Sequence, residues 1–373
     1  MTAVGVLGAN GFIGSRLVEY FALTGAAHVR PIVKSHSSLA RVARFSLDWR
    51  IADALDENAL TTAFEGCDVV VHSVAGPLDM VATCPRPAYR AAERAGVRRI
   101  VYLSTASVHG QAPEAGTVEA TPLSDDQPLP YNNAKVLAER QFSKMRERGR
   151  VELVTLRPGI VFGPRDNWVS HIAKSLVDGH AYLYSGGHGI CNTTYVDNLV
   201  HAIHLALTAD VDGEAFFIVD RESLTWRELY QAIARAVVGS ADIPVATSHA
   251  EVADEHGPLD RFKSLPGLPW ILATTPRTLK RFARTQVEAI TAAGRCYART
   301  RHTTARTPFT LPERSAPHAS LEMALLHECR HKFSYEKARR LMGYEPLVSV
   351  SEGIRRAIEW LGFIGYPLHD LNG

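Results

Sequence analysis

Cysteine is scarce and scattered in this chain. Only five are present among 373 residues (Cys67, Cys84, Cys191, Cys296 and Cys329), an odd set with no C-x-x-C pair. That argues against a disulfide framework and suits a reducing compartment. An excess of charge of one sign is also missing. Lys and Arg total 41 against 39 Asp and Glu, a net +2, so nothing draws the whole chain toward nucleic acid or a membrane. No apolar run is long enough for a membrane span. Met1-Thr2-Ala3 leads straight into an apolar strand, with no basic n-region and no cleavage-type site, so no signal peptide is expected. A cytoplasmic location and no nucleic-acid partner are the expectations. Internal repeats and low-complexity tracts are lacking as well. What remains is ordinary globular composition, 46% apolar and 21% charged, at a length that suits one large domain or two smaller ones.

Apolar runs and helical periodicity alternate along the first half. Val4–Leu7, Val29–Val33, Val69–Val74, Arg99–Ser104 and Leu153–Arg157 read as strands. Phe12–Thr24, Ala88–Ala95 and Tyr131–Arg148 read as helices. The Val69–Val74 run is what a parallel strand covered on both faces needs. The alternation predicts an α/β fold, a Rossmann-type doubly wound parallel sheet. Residues 1–165 are the expected dinucleotide-binding core, with core strands continuing into 190–220. Residues 166–373 are expected to be mainly a smaller C-terminal substrate-binding region. Within it, 198–207 and 225–238 read as helices and 215–219 as a strand. Residues 240–330, rich in Pro, Thr, Arg and His, read as an insertion or lid.

Two motifs about 120 residues apart carry the chemistry. Gly8-Ala9-Asn10-Gly11-Phe12-Ile13-Gly14 ends a strand and opens a helix. Glycines there let the backbone turn sharply and bring its N–H groups close to a pyrophosphate, whose charge the helix N-terminus favours. Tyr131-Asn132-Asn133-Ala134-Lys135 places a phenol and an ammonium at i and i+4, on one helix face. A free phenol has a pKa of about 10 and is a poor base at neutral pH. A neighbouring ammonium favours the phenolate.

In this order the two motifs resemble the extended short-chain dehydrogenase/reductase superfamily, the NAD-dependent epimerase/dehydratase-like group, and within it the branch of 3β-hydroxysteroid dehydrogenases and dihydroflavonol reductases. The resemblance covers roughly 1–240 and 332–362, the latter through Phe333-Ser334-Tyr335-Glu336-Lys337-Ala338-Arg339 and Gly343-Tyr344-Glu345-Pro346. It implies Thr105, Tyr131 and Lys135 as catalytic residues. Thr105 is chosen over Ser104 by matching Val108-His109-Gly110 to the family's Val-Tyr-Gly, from which His109 departs; Ser107 is a second candidate hydroxyl. The implied cofactor contacts are Gly8, Asn10, Gly11, Phe12, Ile13, Gly14, Lys34, Asp53, Ala54, Val74, Ala75, Tyr131, Lys135, Pro158, Gly159 and Val161. Asp53 would lie beside the adenine, and Lys135 would also hold the nicotinamide ribose. The second strand ends in Val33-Lys34-Ser35 with no acid, and Arg41 and Arg44 follow, so NADP is favoured over NAD.

The same comparison narrows the branch. Ala106-Ser107 replace the Asp-Glu that sugar 4,6-dehydratases place after the catalytic Thr. Gly159 follows Arg157-Pro158 where nucleotide-sugar enzymes usually carry Asn, and no Arg closely precedes Tyr195-Val196-Asp197. The expected activity is therefore interconversion of a secondary alcohol and a ketone on a small organic substrate, the alternative being a sugar or nucleotide-sugar epimerase with tightly held NAD. Pro77, Pro85 and Pro87 stand in place of the family's Asn-x-x-Gly-Thr run. A short helix is expected there, and the homodimer surface it normally helps form is open. His327-Glu328-Cys329-Arg330-His331 spells H-E-x-x-H but has no obvious third ligand, so no metal is expected. Residues 277–306 carry eight cationic side chains against Glu288 at amphipathic spacing. They read as a lid helix with a solvated basic face, a membrane-surface contact or a site for an anionic carrier or substrate tail.

Overall fold

Seven short runs of mostly β-branched and apolar residues form a parallel sheet in the computed structural model, which describes residues 1–246 and 320–369. They are β1 (Ala3–Leu7), β2 (His28–Val33), β3 (Arg50–Ile51), β4 (Val69–His72), β5 (Arg99–Leu103), β6 (Glu152–Pro158) and β10 (Glu214–Ile218). Their order is β10-β6-β5-β4-β1-β2-β3. The register pairs Val4 with Val69 and Val29, and His72 with Leu7 and Tyr102. Side chains alternate across the sheet. Val4, Val6, Val69, Val71 and Val101 pack on one face with α1 (Phe12–Thr24) and α7 (Val196–Ala206). Leu7, Val70, Ile100 and Tyr102 pack on the other with α2 (Glu57–Phe64), α4 (Pro85–Arg94) and α5 (Pro130–Arg146). Both faces being covered explains why these strands are mostly apolar and show no polar alternation.

The chain reverses its direction of winding between β1 and β4. In an open α/β sheet that is where a ligand crevice opens, at the carboxyl ends of the strands. The glycine segment after β1 and Ser73–Gly76 after β4 both lie there.

The stretch from Leu78 to Arg94 is not one short helix. It holds α3 (Leu78–Thr83) and α4, joined at Cys84, which is itself in the right-handed helical region. Pro85 occupies the first position of α4, where no N–H need be donated. The prolines therefore start a helix rather than break one.

A third core sits beside the sheet. It is built from α6 (Asn167–Val177), α8 (Trp226–Val238) and α11 (Val350–Phe363), around Phe162, Tyr195 and Trp226. Small strand pairs border it: β7 (Ile160–Phe162) with β9 (Thr193–Tyr195), and β8 (Leu183–Tyr184) with β11 (Val245–Ala246). Two further helices, α9 (Leu321–Glu328) and α10 (Glu336–Met342), complete the described residues. They share one compact unit with residues 1–246. Most of the 240–330 stretch, including all of 277–306, lies outside the described residues. No helix among the described residues is long and apolar enough to cross a membrane.

Helix α5 is bolted to the sheet by a buried ion pair. Arg157 on β6 donates through Nε and Nη2 to the two carboxylate oxygens of Glu139, at 3.0 and 2.6 Å, and through Nη1 to the Glu119 carbonyl at 2.8 Å. Both side chains are buried. Removing one partner of such a pair leaves an uncompensated charge in the interior, which costs about 3–5 kcal/mol. Glu139→Leu should therefore lower the urea unfolding free energy by about that much. The double variant Glu139→Leu/Arg157→Met should recover most of the loss.

Candidate active site

The first glycine segment is shaped by its own backbone. Gly8 has φ +88°, and a Cβ there would lie 2.6 Å from the Ser73 carbonyl oxygen. A Cβ on Gly14 would stand 2.3 Å from the Gly8 carbonyl. These two positions exclude any other residue sterically. Gly11 differs, since its Cβ would meet only the Gly8 oxygen at 3.3 Å. The protein alone does not force glycine there; backbone approach by a ligand would. Gly11 is also the N-cap of α1, which has no side-chain cap and no acidic residue in its first turn. The first N–H groups of α1 are thus left for an anion. Asn10 and Gly11 are exposed at this mouth, and Phe12 and Ile13 are half-buried behind it. The residues present fit the pyrophosphate of a dinucleotide.

Beyond β2 and β3 the candidate adenosine contacts meet one another. Lys34 Nζ lies 3.1 Å from Asp53 Oδ2, and Asp53 Oδ1 also accepts the Leu55 N–H at 3.0 Å. That backbone bond, with Lys34, holds the Asp53 carboxyl below its usual range. Ser35 hydrogen-bonds Ser37 and Ser38, both at 3.0 Å, making a hydroxyl cluster beside Lys34. Arg44 is turned away and paired with Glu19. Ala54 is buried; Val74 packs against the sheet core, and Ala75 is exposed at the end of β4.

The proton-transfer candidates surround a cavity of about 430 Å³. Its lining includes Ser104, Thr105, Ser107, Gln111, Tyr131, Asn192 and Glu322, with Ile13, Ala106, Ile160, Val161, Trp168, Ile190, Leu326 and Phe333 giving it a largely apolar wall. Pro158 and Gly159 line it as well. Ile13 comes from the glycine segment, so the two motifs open on one space. Thr105 caps the short turn Ala106–His109: its Oγ1 accepts the Ser107 N–H at 3.2 Å and lies 2.9 Å from Ser107 Oγ. The two hydroxyls form one hydrogen-bonded pair at the cavity wall.

Tyr131 opens on the cavity from the first turn of α5. Burial of its phenol, together with the Glu322 carboxylate, pushes its pKa up to about 12. Lys135 lies behind it, fully buried. Its Nζ donates to the Leu103 carbonyl at 2.9 Å and stands 3.5 Å from the Tyr102 hydroxyl. Burial lowers the ammonium's pKa to about 8.

Several residues that hold the site are not apparent in the motifs. Gln111 Nε2 donates to Glu322 at 3.1 Å, and Gln111 Oε1 accepts from Asn132 Nδ2 at 3.2 Å. Asn132 also donates to Gln127 Oε1 at 2.9 Å. This row of amides ties α9 to the turn carrying Tyr131. Asn192 Oδ1 accepts from the Phe333 N–H, and its Nδ2 donates to the His331 carbonyl. Gly159 has its own steric reason, because a Cβ there would lie 2.1 Å from the Asn192 carbonyl oxygen.

His109 turns away from the cavity. It meets Arg157 Nη1 at 3.1 Å and packs on Phe217; burial and Arg157 push its pKa down to about 4. Val81, Tyr89 and Tyr195 are core residues. The H-E-x-x-H stretch is not on one helix, since α9 ends at Glu328. His327 stacks on Trp226 and bonds the Tyr184 backbone, while His331 Nε2 meets the Thr117 carbonyl at 3.0 Å.

A parallel sheet with its glycine segment at the winding switch, sharing a cavity with a hydroxyl and with Tyr131, whose helix carries the buried Lys135, defines an NAD(P)-dependent enzyme of the extended short-chain dehydrogenase/reductase type. The chain belongs to the NAD dependent epimerase/dehydratase family, whose model matches residues 4–218. Among curated proteins it is similar to the 2-alkyl-3-oxoalkanoate reductase of Stenotrophomonas maltophilia (strain K279a), at 27% identity over 94% of this chain and 97% of the relative. It is also similar to the 3 beta-hydroxysteroid dehydrogenase/Delta 5-->4-isomerase of Mycobacterium tuberculosis (strain CDC 1551 / Oshkosh), at 25% identity over 95% and 89%. The fold matches that of UDP-glucuronic acid 4-epimerase from Bacillus cereus in complex with NAD, with a TM-score of 0.66 at 18% identity over 97% and 99% of the two chains.

The buried Lys135 ammonium costs stability. Its pKa falls from 10.5 unfolded to about 8 folded. Below pH 8 it is charged in both states, and the cost of burying it is about 3 kcal/mol. Between pH 8 and 10.5 the unfolded chain binds more protons, so this cost disappears as pH rises. Lys135→Met should therefore raise Tm at pH 7, and the gain should vanish near pH 10.5. Thermal unfolding of both proteins across that range checks it.

Proposed function

We propose that this protein is an NADP-linked carbonyl reductase, interconverting a ketone and a secondary alcohol on a small, largely apolar substrate. The observation that carries the reading is the shared cavity, in which Ile13 of the glycine segment, Thr105 and Tyr131 face one apolar-walled space. The relatives named for 3-oxoalkanoate reduction and 3β-hydroxysteroid dehydrogenation support a carbonyl flanked by hydrocarbon. The epimerase reading is weaker. Gly159 stands too close to the Asn192 backbone to be the asparagine that nucleotide-sugar enzymes carry.

Gly8, Asn10, Gly11, Phe12, Ile13 and Gly14 would hold the pyrophosphate; Asp53 and Ala54 the adenine; and Val74, Ala75, Pro158, Gly159 and Val161 the middle and nicotinamide half. Bound nicotinamide dinucleotide supplies the hydride. Thr105, with Ser107, orients the substrate oxygen. Tyr131 would deliver the proton to that oxygen in reduction, its raised pKa keeping the phenol protonated beforehand. Lys135 would place a positive charge behind the phenol as it becomes phenolate, and would also hold the nicotinamide ribose. Lys34 and the serine cluster suit a 2′-phosphate, with Asp53 drawing Lys34 into place.

Residues 1–165 serve as the dinucleotide-binding core and 166–373 mainly as the substrate side, which supplies Trp168, Ile190, Asn192, Glu322 and Leu326 to the cavity.

Tyr131→Phe should lower kcat for NADPH-dependent ketone reduction by about 10²–10⁴-fold, with cofactor affinity little changed. Activity equal to that of the unaltered protein would remove Tyr131 from the chemistry. Lys34→Asp should lower the ratio of NADPH to NADH affinity by at least about tenfold, since a carboxylate repels the 2′-phosphate and binds the ribose hydroxyl. Fluorescence titration with each cofactor reads that ratio.

A further inference from the structure

The mechanism leaves one buried polar cluster unused, directly behind Lys135. Tyr102 on β5 meets the ammonium in two ways. Its hydroxyl lies 3.5 Å from Nζ, and Nζ stands 5.1 Å from the centre of its ring. The ring face attracts a cation at that range, and more strongly where water is excluded. The Leu103 carbonyl, one residue on, accepts at 2.9 Å. Across the strand pair, His72 is in register with Tyr102, and its ring meets those of Tyr102 and Phe142 edge-on at 5.5 and 5.4 Å. His72 is 1% exposed, and neither ring nitrogen has a hydrogen-bond partner among the described residues. Leaving an imidazole so placed is costly, which asks for a function.

We infer that Tyr102 and His72 are positioning residues for Lys135: Tyr102 holds the ammonium by ring and hydroxyl, and His72 holds the Tyr102 ring at the required angle. The inference rests on the proposed role of Lys135. A proton relay through His72 is disfavoured on magnitude. Burial and the Lys135 charge push the imidazole down to about 3, so it stays neutral beside the ammonium. The other groups facing Lys135 are Cys84, at the junction of α3 and α4, and Glu139 on its own helix. Neither provides an aromatic face. Tyr102 itself stays protonated, since burial holds its pKa well above 10.

The test follows the Lys135 titration itself. Protein carrying ¹³C-labelled lysine is titrated by NMR, with the Lys135 signal identified by its loss in Lys135→Met. Tyr102→Phe removes the hydroxyl and keeps the ring; Tyr102→Leu removes both. The Lys135 pKa should fall by about half a unit in the first and by about one unit in the second. His72→Leu should lower it in the unaltered background and have no further effect in the Tyr102→Leu background. An unchanged Lys135 titration in folded Tyr102→Phe and Tyr102→Leu protein would overturn the inference, leaving these residues as packing alone. Should Tyr102→Leu not fold, Tyr102→Phe decides. No turnover is needed for this measurement, so it stands apart from the proposed function. The rate profile tests that function separately: the alkaline limb of reductive kcat/KM should move with the Lys135 pKa. Movement of the titration without the limb would uphold the cradle and contradict the catalytic role of Lys135.

Discussion

Everything at the site depends on keeping one ammonium out of water. Lys135 can sit behind Tyr131 only because α5 is pressed against the sheet. That docking is fixed by the Arg157–Glu139 pair, one turn further along the same helix face. The interior then pays the ammonium back only partly, with one carbonyl, one distant hydroxyl and a ring face. A charge held so loosely is expensive for the fold. It is also close to its titration point at working pH, where small changes nearby alter its protonation. Desolvation of its phenol, with the Glu322 carboxylate, raises Tyr131, while full burial lowers the Lys135 ammonium, and so a protonated phenol stands beside a conditional cation.

The second constraint is the closeness of backbone to backbone. Gly8 and Gly14 allow the chain to fold tightly over the end of β1, and Gly159 lets the end of β6 run against Asn192. Each is a position where a side chain would strike a main-chain oxygen, which cannot move aside as a flexible side chain can. The departure at Gly159 from the nucleotide-sugar pattern thus has a steric basis in this chain, beyond any preference for substrate.

Much of this arrangement was legible in the residues. Phe12–Thr24 is a helix with the bounds its pattern predicts, because glycines at both ends mark it. Six of the seven sheet strands are visible as apolar runs, since burial on both faces leaves no polar alternation; β3, two residues long and opening on Arg50, is too short to leave such a run. Where one short helix is expected among the prolines two stand, and the second begins at Pro85 rather than Ala88 because proline does no harm at the first position of a helix. H-E-x-x-H reads as two histidines on one face only if the helix continues, and α9 stops at Glu328. Thr105 and Tyr131 could be named from local motifs. Gln111, Asn192 and Glu322 could not, because they meet only through tertiary packing; Gln111 and Glu322 are 211 residues apart in sequence. Lys34 was visible as a candidate phosphate contact, but its pairing with Asp53 and the turning of Arg44 toward Glu19 depend on the folded surface.

The central claim is that hydride passes between a nicotinamide and a substrate carbon in this cavity. It is tested most directly by incubating the protein with NADPH carrying deuterium at both C4 positions and an alkyl ketone, then examining the alcohol by mass spectrometry. The account predicts one deuterium on the carbinol carbon for each NADPH oxidised. Protein that oxidises no NADPH, and instead carries NAD retained through purification, would contradict it and favour epimerisation.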